Sequence, residues 1–164
     1  MSNFKSPAGT QVPEGFTIIR RYQPSDMDAV ISIWEAANAL AHPFLPADFV
    51  NTVRTDMREI YLPNAETWVV EHVGQPVGFI AMIGTEIGGL FLDPRYHGRG
   101  LGRAMVDTVV ALMGPLRVDV FSENAIGRKF YDSYGFKPVD QYSHDPSGQL
   151  TIKMEMPGLS VEKS

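Results

Sequence analysis

The chain has 164 residues, 14 Lys+Arg against 19 Asp+Glu, a formal charge of −5 and 44% hydrophobic residues, the balance of a soluble globular protein long enough for one well-cored domain. It contains no apolar run long enough for a transmembrane helix and no apolar stretch near its start that would make a secretory signal. The absence of cysteine excludes a disulfide framework, a thiolate zinc site and a cysteine nucleophile and suits the reducing cytoplasm, while the acidic balance argues against bulk nucleic-acid binding.

Residues 1–15, with two prolines and two glycines, read as a flexible tail. A strand follows over 16–22. Ser25 as N-cap and Asp28 three residues on open a helix, in which Met27, Val30, Trp34, Ala37 and Ala41 form an apolar stripe that ends at His42-Pro43. A second helix is predicted over 47–61 on Phe49, Val53, Met57 and Ile60, closed by Pro63. Three strands over 67–73, 76–83 and 87–92, separated by Gly74-Gln75 and Gly84-Thr85, form an antiparallel meander. Leu101, Met105, Thr108, Val109 and Leu112 make the next helical stripe, stopped by Gly114-Pro115. A strand over 116–121, a helix over 124–134 ended by Gly135, and two strands over 136–142 and 150–156 complete the domain (16–156), and 157–164 reads as a second tail. The order β, α, α, β, β, β, α, β, α, β, β describes a single mixed α/β domain with a largely antiparallel sheet and one strand–loop–helix–strand crossover. Tyr22, Trp34 and Trp68 read as core.

The stretch from Leu90 to Met105 carries the strongest chemical signal. An apolar strand runs into Gly98, Gly100 and Gly102, and a helix starts at once. A helix N-terminus presents unpaired N–H groups and the positive end of the macrodipole, and glycines admit an anion close to that backbone. Arg95, Arg99 and Arg103 add positive charge, so the loop reads as a phosphate site. It matches neither a Walker A loop nor a Rossmann fingerprint, since no Gly-Lys-Ser/Thr occurs and the third Rossmann glycine falls on Arg103.

Asn124, Phe130-Tyr131 and Gly135-Phe136, together with the loop from His97 to Gly102, resemble the two signatures of the GNAT superfamily of acyl-CoA-dependent N-acetyltransferases, in the family's order. His97 stands where the family has Gln or Arg, and Gly127 where Ala is more usual. The resemblance implies a splayed pair of parallel strands, 88–93 and 116–121. Backbone groups of Leu90, Phe91 and Leu92 would pair with the pantetheine arm of acetyl-CoA, as an added strand would. It also implies pyrophosphate on the N–H groups of Gly98, Arg99, Gly100, Gly102 and Arg103, and a pantetheine contact from Asn124.

Acetyl transfer needs a neutral amine, and a lysine-like amine is neutral in only about 0.04% of molecules at pH 7. A base must take its proton and an acid must protonate the departing thiolate. Tyr131, which matches the Tyr of the family's second signature and follows Asn124 by two helical turns, is the acid the resemblance implies. The position where many relatives place a Glu is Gly88, so Glu86, two residues earlier and on the same face by strand alternation, is the candidate base. His72 and His144 are lesser candidates, and Ser122 is the residual nucleophile. His42 and Phe44 lie in the segment that walls the acceptor pocket in the resembling fold, so the resemblance implies that they line it here. Four dispersed histidines give no metal-ligand spacing and no G-x-S-x-G is present, so neither a metal site nor a serine hydrolase is expected. The expected partner is an amine, small molecule or lysine-bearing peptide, met by a monomer or homodimer, with no nucleic acid and no membrane. The alternative is a CoA-binding sensor or interaction module of the same fold, which the missing Glu at Gly88 favours.

Overall fold

The computed structural model describes residues 17–159. The tail expected over 1–15 and the end of the one expected over 157–164 lie outside the described residues. Leu159 is buried, so packed structure continues past residue 156. The elements run β1 (Thr17–Arg21), a 3-10 turn (Pro24–Asp26), α1 (Met27–Ala41), α2 (Ala47–Asp56), a π-helical turn (Met57–Tyr61), α3 (Leu62–Asn64), β2 (Glu66–His72), β3 (Gln75–Ile83) and β4 (Glu86–Leu92). They continue with a 3-10 turn (Pro94–Tyr96), α4 (Leu101–Met113), β5 (Arg117–Phe121), α5 (Ala125–Tyr134), β6 (Lys137–His144) and β7 (Gln149–Glu155).

The strands form one sheet in the order β1-β2-β3-β4-β5-β7-β6, antiparallel except between β4 and β5. Its two faces carry separate cores. One face packs Trp68, Val70 and Ile80 against Met105, Val106 and Val109 of α4 and Tyr131 of α5. The other packs Val69 and Phe79 against Val30, Ile33 and Trp34 of α1 and Met57. Helix cover on both sides explains why β2 reads as a continuous apolar run and does not alternate.

Local corrections have physical causes. The cap ahead of α1 is Asp26, whose carboxylate accepts the Gln23 N–H at 2.8 Å and pairs with Arg20, so the expected Ser25–Asp28 box does not form. The second helix runs beyond Tyr61 and carries Pro63 inside its last turn. Pro63 has no N–H to give, and the π turn just before it, with the Leu62 N–H bonded to the Met57 carbonyl, widens the helix there. That shift turns Ile60 out to solvent and Leu62 in. Along α4, Val106 takes the inward position and Leu112 stays exposed. Tyr22, Trp34 and Trp68 pack as expected.

Candidate active site in a split of the sheet

β4 and β5 pair only at Glu86–Arg117 and Ile87–Val118. Beyond them the strands diverge. The cause lies on the other edge of β4: Ala81 pairs with Gly89 and Met82 with Ile87, so Gly88 is the extra residue of a β-bulge. A bulge bends its strand and increases local twist, which carries Gly89–Leu92 away from β5. The strand edge at Leu90, Phe91 and Leu92 is left without a β5 partner, as the splayed pair requires. A cavity of about 980 Å³ opens through the split and reaches both faces of the sheet.

On the α4 face the glycine loop meets this cavity. Gly98 and Gly100 adopt φ +80° and +78°, conformations that L side chains rarely take, and so swing the loop onto the first turn of α4. The first helical hydrogen bond runs from the Ala104 N–H to the Gly100 carbonyl. The N–H groups of residues 98–103 have no acceptor among the described residues, which makes six consecutive free donors at a helix N-terminus. Arg103 lines the cavity, its guanidinium over the Tyr134 ring at 4.7 Å. Arg99 lies over Tyr96 at 4.9 Å, outside the lining. Arg95 does not contribute as expected: it turns back on Asp93, at 2.7 Å, and holds that carboxyl below the usual range. Two arginines, not three, carry the free charge of the loop.

Tyr131 is buried, with its ring edge-on to Phe130 and Phe136 at 5.2 and 5.3 Å. Tyr131 is among the residues that line the cavity, its hydroxyl has no hydrogen bond to the described residues, and burial pushes the phenol well above its ordinary pKa, so it holds its proton. Asn124 caps α5, its Oδ1 accepting the Gly127 N–H at 2.8 Å, and its Nδ2 donates to His42 Nε2 at 3.0 Å. A Cβ on Gly127 would lie 2.5 Å from Asn124 Nδ2, which explains the glycine: the capping amide folds over it.

His42 completes the bridge. Its Nε2 accepts from Asn124, so its proton is on Nδ1, which donates to Asn38 Oδ1 at 2.6 Å. Burial lowers its pKa to about 4, and the ring is neutral. Its ring stands edge-on to Phe121 and Phe91 at 5.1 and 6.2 Å, on the α1–α2 face. Phe44 packs against His42 and Phe121 and does not line the cavity, so its expected place in the acceptor wall is not found.

The cross-strand pairs Ile83–Glu86, Ala81–Gly89 and Phe79–Phe91 place Glu86 on the α1–α2 face. Glu86 shares that face with Gly88, as expected, since a Cβ on Gly88 would meet Ile83 Cδ1 at 3.1 Å, and the bulge adds Gly89 and Phe91 to the same face. Its carboxylate lines the cavity, 3.8 Å from Arg117. His144 also lines it, between Phe121 and Phe49 at 5.8 Å each, while His72 lies on β2 beside Thr17 and Tyr96, away from the cavity. Ser122 is outside the lining too. Sequence reasoning missed Asp119, which faces the cavity and accepts the Tyr142 hydroxyl at 2.7 Å. The alternation of 116–121 carried that signal.

The profile of the acetyltransferase (GNAT) domain matches residues 63–138. Peptidyl-lysine N-acetyltransferase YiaC of Escherichia coli is 30% identical over 141 residues, 85% of this chain and 97% of that protein. The chain belongs to the GNAT family of N-acetyltransferases. A second such relative, peptidyl-lysine N-acetyltransferase YjaB of E. coli, is 32% identical over 80% of this chain and 89% of its own length. The solution structure of apo YjaB superposes with a TM-score of 0.78 at 28% identity, covering 87% of this chain and 98% of that one. PaiA N-acetyltransferase from Thermoplasma acidophilum, in complex with coenzyme A, shares the fold with a TM-score of 0.68 at 18% identity, over 85% of this chain and 98% of that one. Family membership accounts for the two signatures, the split sheet and the glycine loop as parts of one GNAT architecture.

Proposed function

We propose that the protein transfers the acetyl group of acetyl-CoA to a primary amine by direct attack at the β4–β5 split. The observation that carries this reading is the meeting, in one cavity, of the open strand edge at Leu90–Leu92 with Gly98, Gly100, Leu101, Gly102 and Arg103, whose N–H groups have no acceptor among the described residues. A pantetheine amide pairs with a free strand edge, and a pyrophosphate accepts from clustered N–H groups beside Arg103. Asn124 holds its wall of the split and keeps a second amide proton for the pantetheine, and Arg99 stands behind the pyrophosphate. The acceptor amine of the two E. coli relatives, a peptidyl lysine, supports a nitrogen nucleophile.

The chemistry then divides between the faces. The amine approaches from the α1–α2 face, where Glu86 accepts its proton, directly or through water. Its nitrogen bonds to the thioester carbonyl carbon, a strand N–H near Leu92 stabilises the oxyanion, and the C–S bond breaks. Tyr131, buried on the α4 face and protonated, gives its proton to the thiolate. Thiol release from acetyl-CoA with a panel of amines, beside the shift in Tm caused by CoA, tests this. Turnover with at least one amine and a CoA-dependent rise in Tm are expected. A CoA shift with no thiol release would leave a CoA-binding module.

A further inference from the structure

Resting on that reading, the inner half of the cavity speaks to the acceptor. Its roof is α2, which has no fully buried side chain: Phe49, Val50 and Val53 are half-buried, Val50 and Val53 touching the α1-side core and all three lining the cavity. An apolar helix face of this kind normally closes on a core. Here the π turn adds Met57 and Tyr61 to the same space, and Phe121 and His144 close its far side. At the rim Tyr61 and Ile83 are 44% and 59% exposed, so the entrance is apolar as well. The lining carboxylates on this face are Glu86 and Asp119. Its cations, Arg103 and Lys129, stand on α4 and α5, toward the glycine loop.

We infer that the acceptor is a small primary amine on an apolar, ring-bearing body, with the ring under α2 among Phe49, Val53 and Phe121 and the amine directed to Glu86. The total volume of about 980 Å³ lies at the upper end of the roughly 300–1,000 Å³ that hold drug-sized ligands, enough for a cofactor arm and a ring-bearing acceptor together. A polyamine would place further cations against Val50, Val53 and Met57, where no acidic side chain of the lining meets them. A ring buries apolar surface on both sides and removes the half-buried faces of α2 from water.

The test compares 2-phenylethylamine, ethylamine, spermidine and a lysine-bearing peptide as acceptors of the full-length protein. One apolar carbon in a hydrophobic pocket changes kcat/KM about 10- to 200-fold, so phenylethylamine is expected to exceed ethylamine by about 100-fold or more. It should also exceed spermidine and the peptide. Equal or better turnover of spermidine or of the peptide overturns the inference. Binding is read separately through Trp34, which lines the cavity, whereas Trp68, the other tryptophan, packs in the opposite core. Phenylethylamine should change the intrinsic fluorescence saturably and spermidine should not; no change with phenylethylamine overturns the inference whatever the catalytic result. Ile83→Asp at the exposed rim should weaken phenylethylamine at least about 10-fold and leave the CoA-induced Tm shift intact. An unchanged phenylethylamine affinity in that variant counts against the pocket. If CoA itself gives no shift, the transferase reading fails, while the fluorescence titration still decides the amine site.

Discussion

Tyr131→Phe removes one oxygen and nothing else from the α4 face of the cavity. The ring and its edge contacts with Phe130 and Phe136 stay. The hydroxyl has no hydrogen-bond partner among the described residues, so no protein group is orphaned and the change in stability should stay within about 0.5 kcal/mol. Catalysis should respond differently. A general acid contributes about 10²- to 10⁴-fold, and a thiolate with a pKa near 8.5 is a fair leaving group, which puts the expected loss in kcat near the lower figure, about 10²-fold. Because burial holds the phenol protonated well above its ordinary range, the wild-type acid limb should not fall off near pH 10. Single-turnover thiol release between about pH 6.5 and 10.5, with CoA affinity and Tm measured alongside, checks each part. Full turnover in the variant, with chemistry rate-limiting, would refute the acid role and make Tyr131 a packing residue.

The glycine loop separates charge from shape: Gly100→Asp and Gly100→Asn both force a side chain onto φ +78° with open space around its Cβ, so both should lose about 1 kcal/mol, while only Asp should weaken CoA a further tenfold or more in a titration. Gly127→Ala should lower stability by about 1 kcal/mol in a denaturant titration, although alanine favours helices, because the new Cβ displaces the capping Asn124 amide. His42 has a folded pKa near 4 against 6.5 for the free ring, so between these values the unfolded chain binds the extra proton and stability falls as pH falls. The full difference is worth up to about 3 kcal/mol, and His42→Gln should flatten that slope in denaturant titrations at pH 4 to 7. Glu86→Gln should lower kcat/KM most at low pH, where the fraction of neutral amine is smallest, with CoA affinity unchanged by calorimetry.

Much of this protein was legible locally. The period-two and period-3.6 patterns, the Gly-Pro stop at residues 114–115 and the capping Asn124 act within a few residues, and the elements they specify, apart from the end of the second helix, stand within a residue or two of their expected ends. The glycine loop was legible for the same reason: Gly98 and Gly100 hold backbone conformations that belong to the residue itself, and the free N–H groups follow from where the helix starts. The signatures at residues 97–102 and 124–136 placed the chain in its family before any contact was known. Tertiary structure decided what depends on register between distant strands. The bulge at Gly88 puts Phe91 on the same face as Glu86, toward α1 and α2, and it is visible only against β3. Arg95 is spent on Asp93, and His42 reaches Asn124 across 82 positions of sequence. The apolar stripe of the second helix predicted the helix, and only the tertiary structure shows that this stripe meets both the α1-side core and a cavity. A hydrophobic period reports which face leaves water, whereas what that face meets is set by elements far away in the chain.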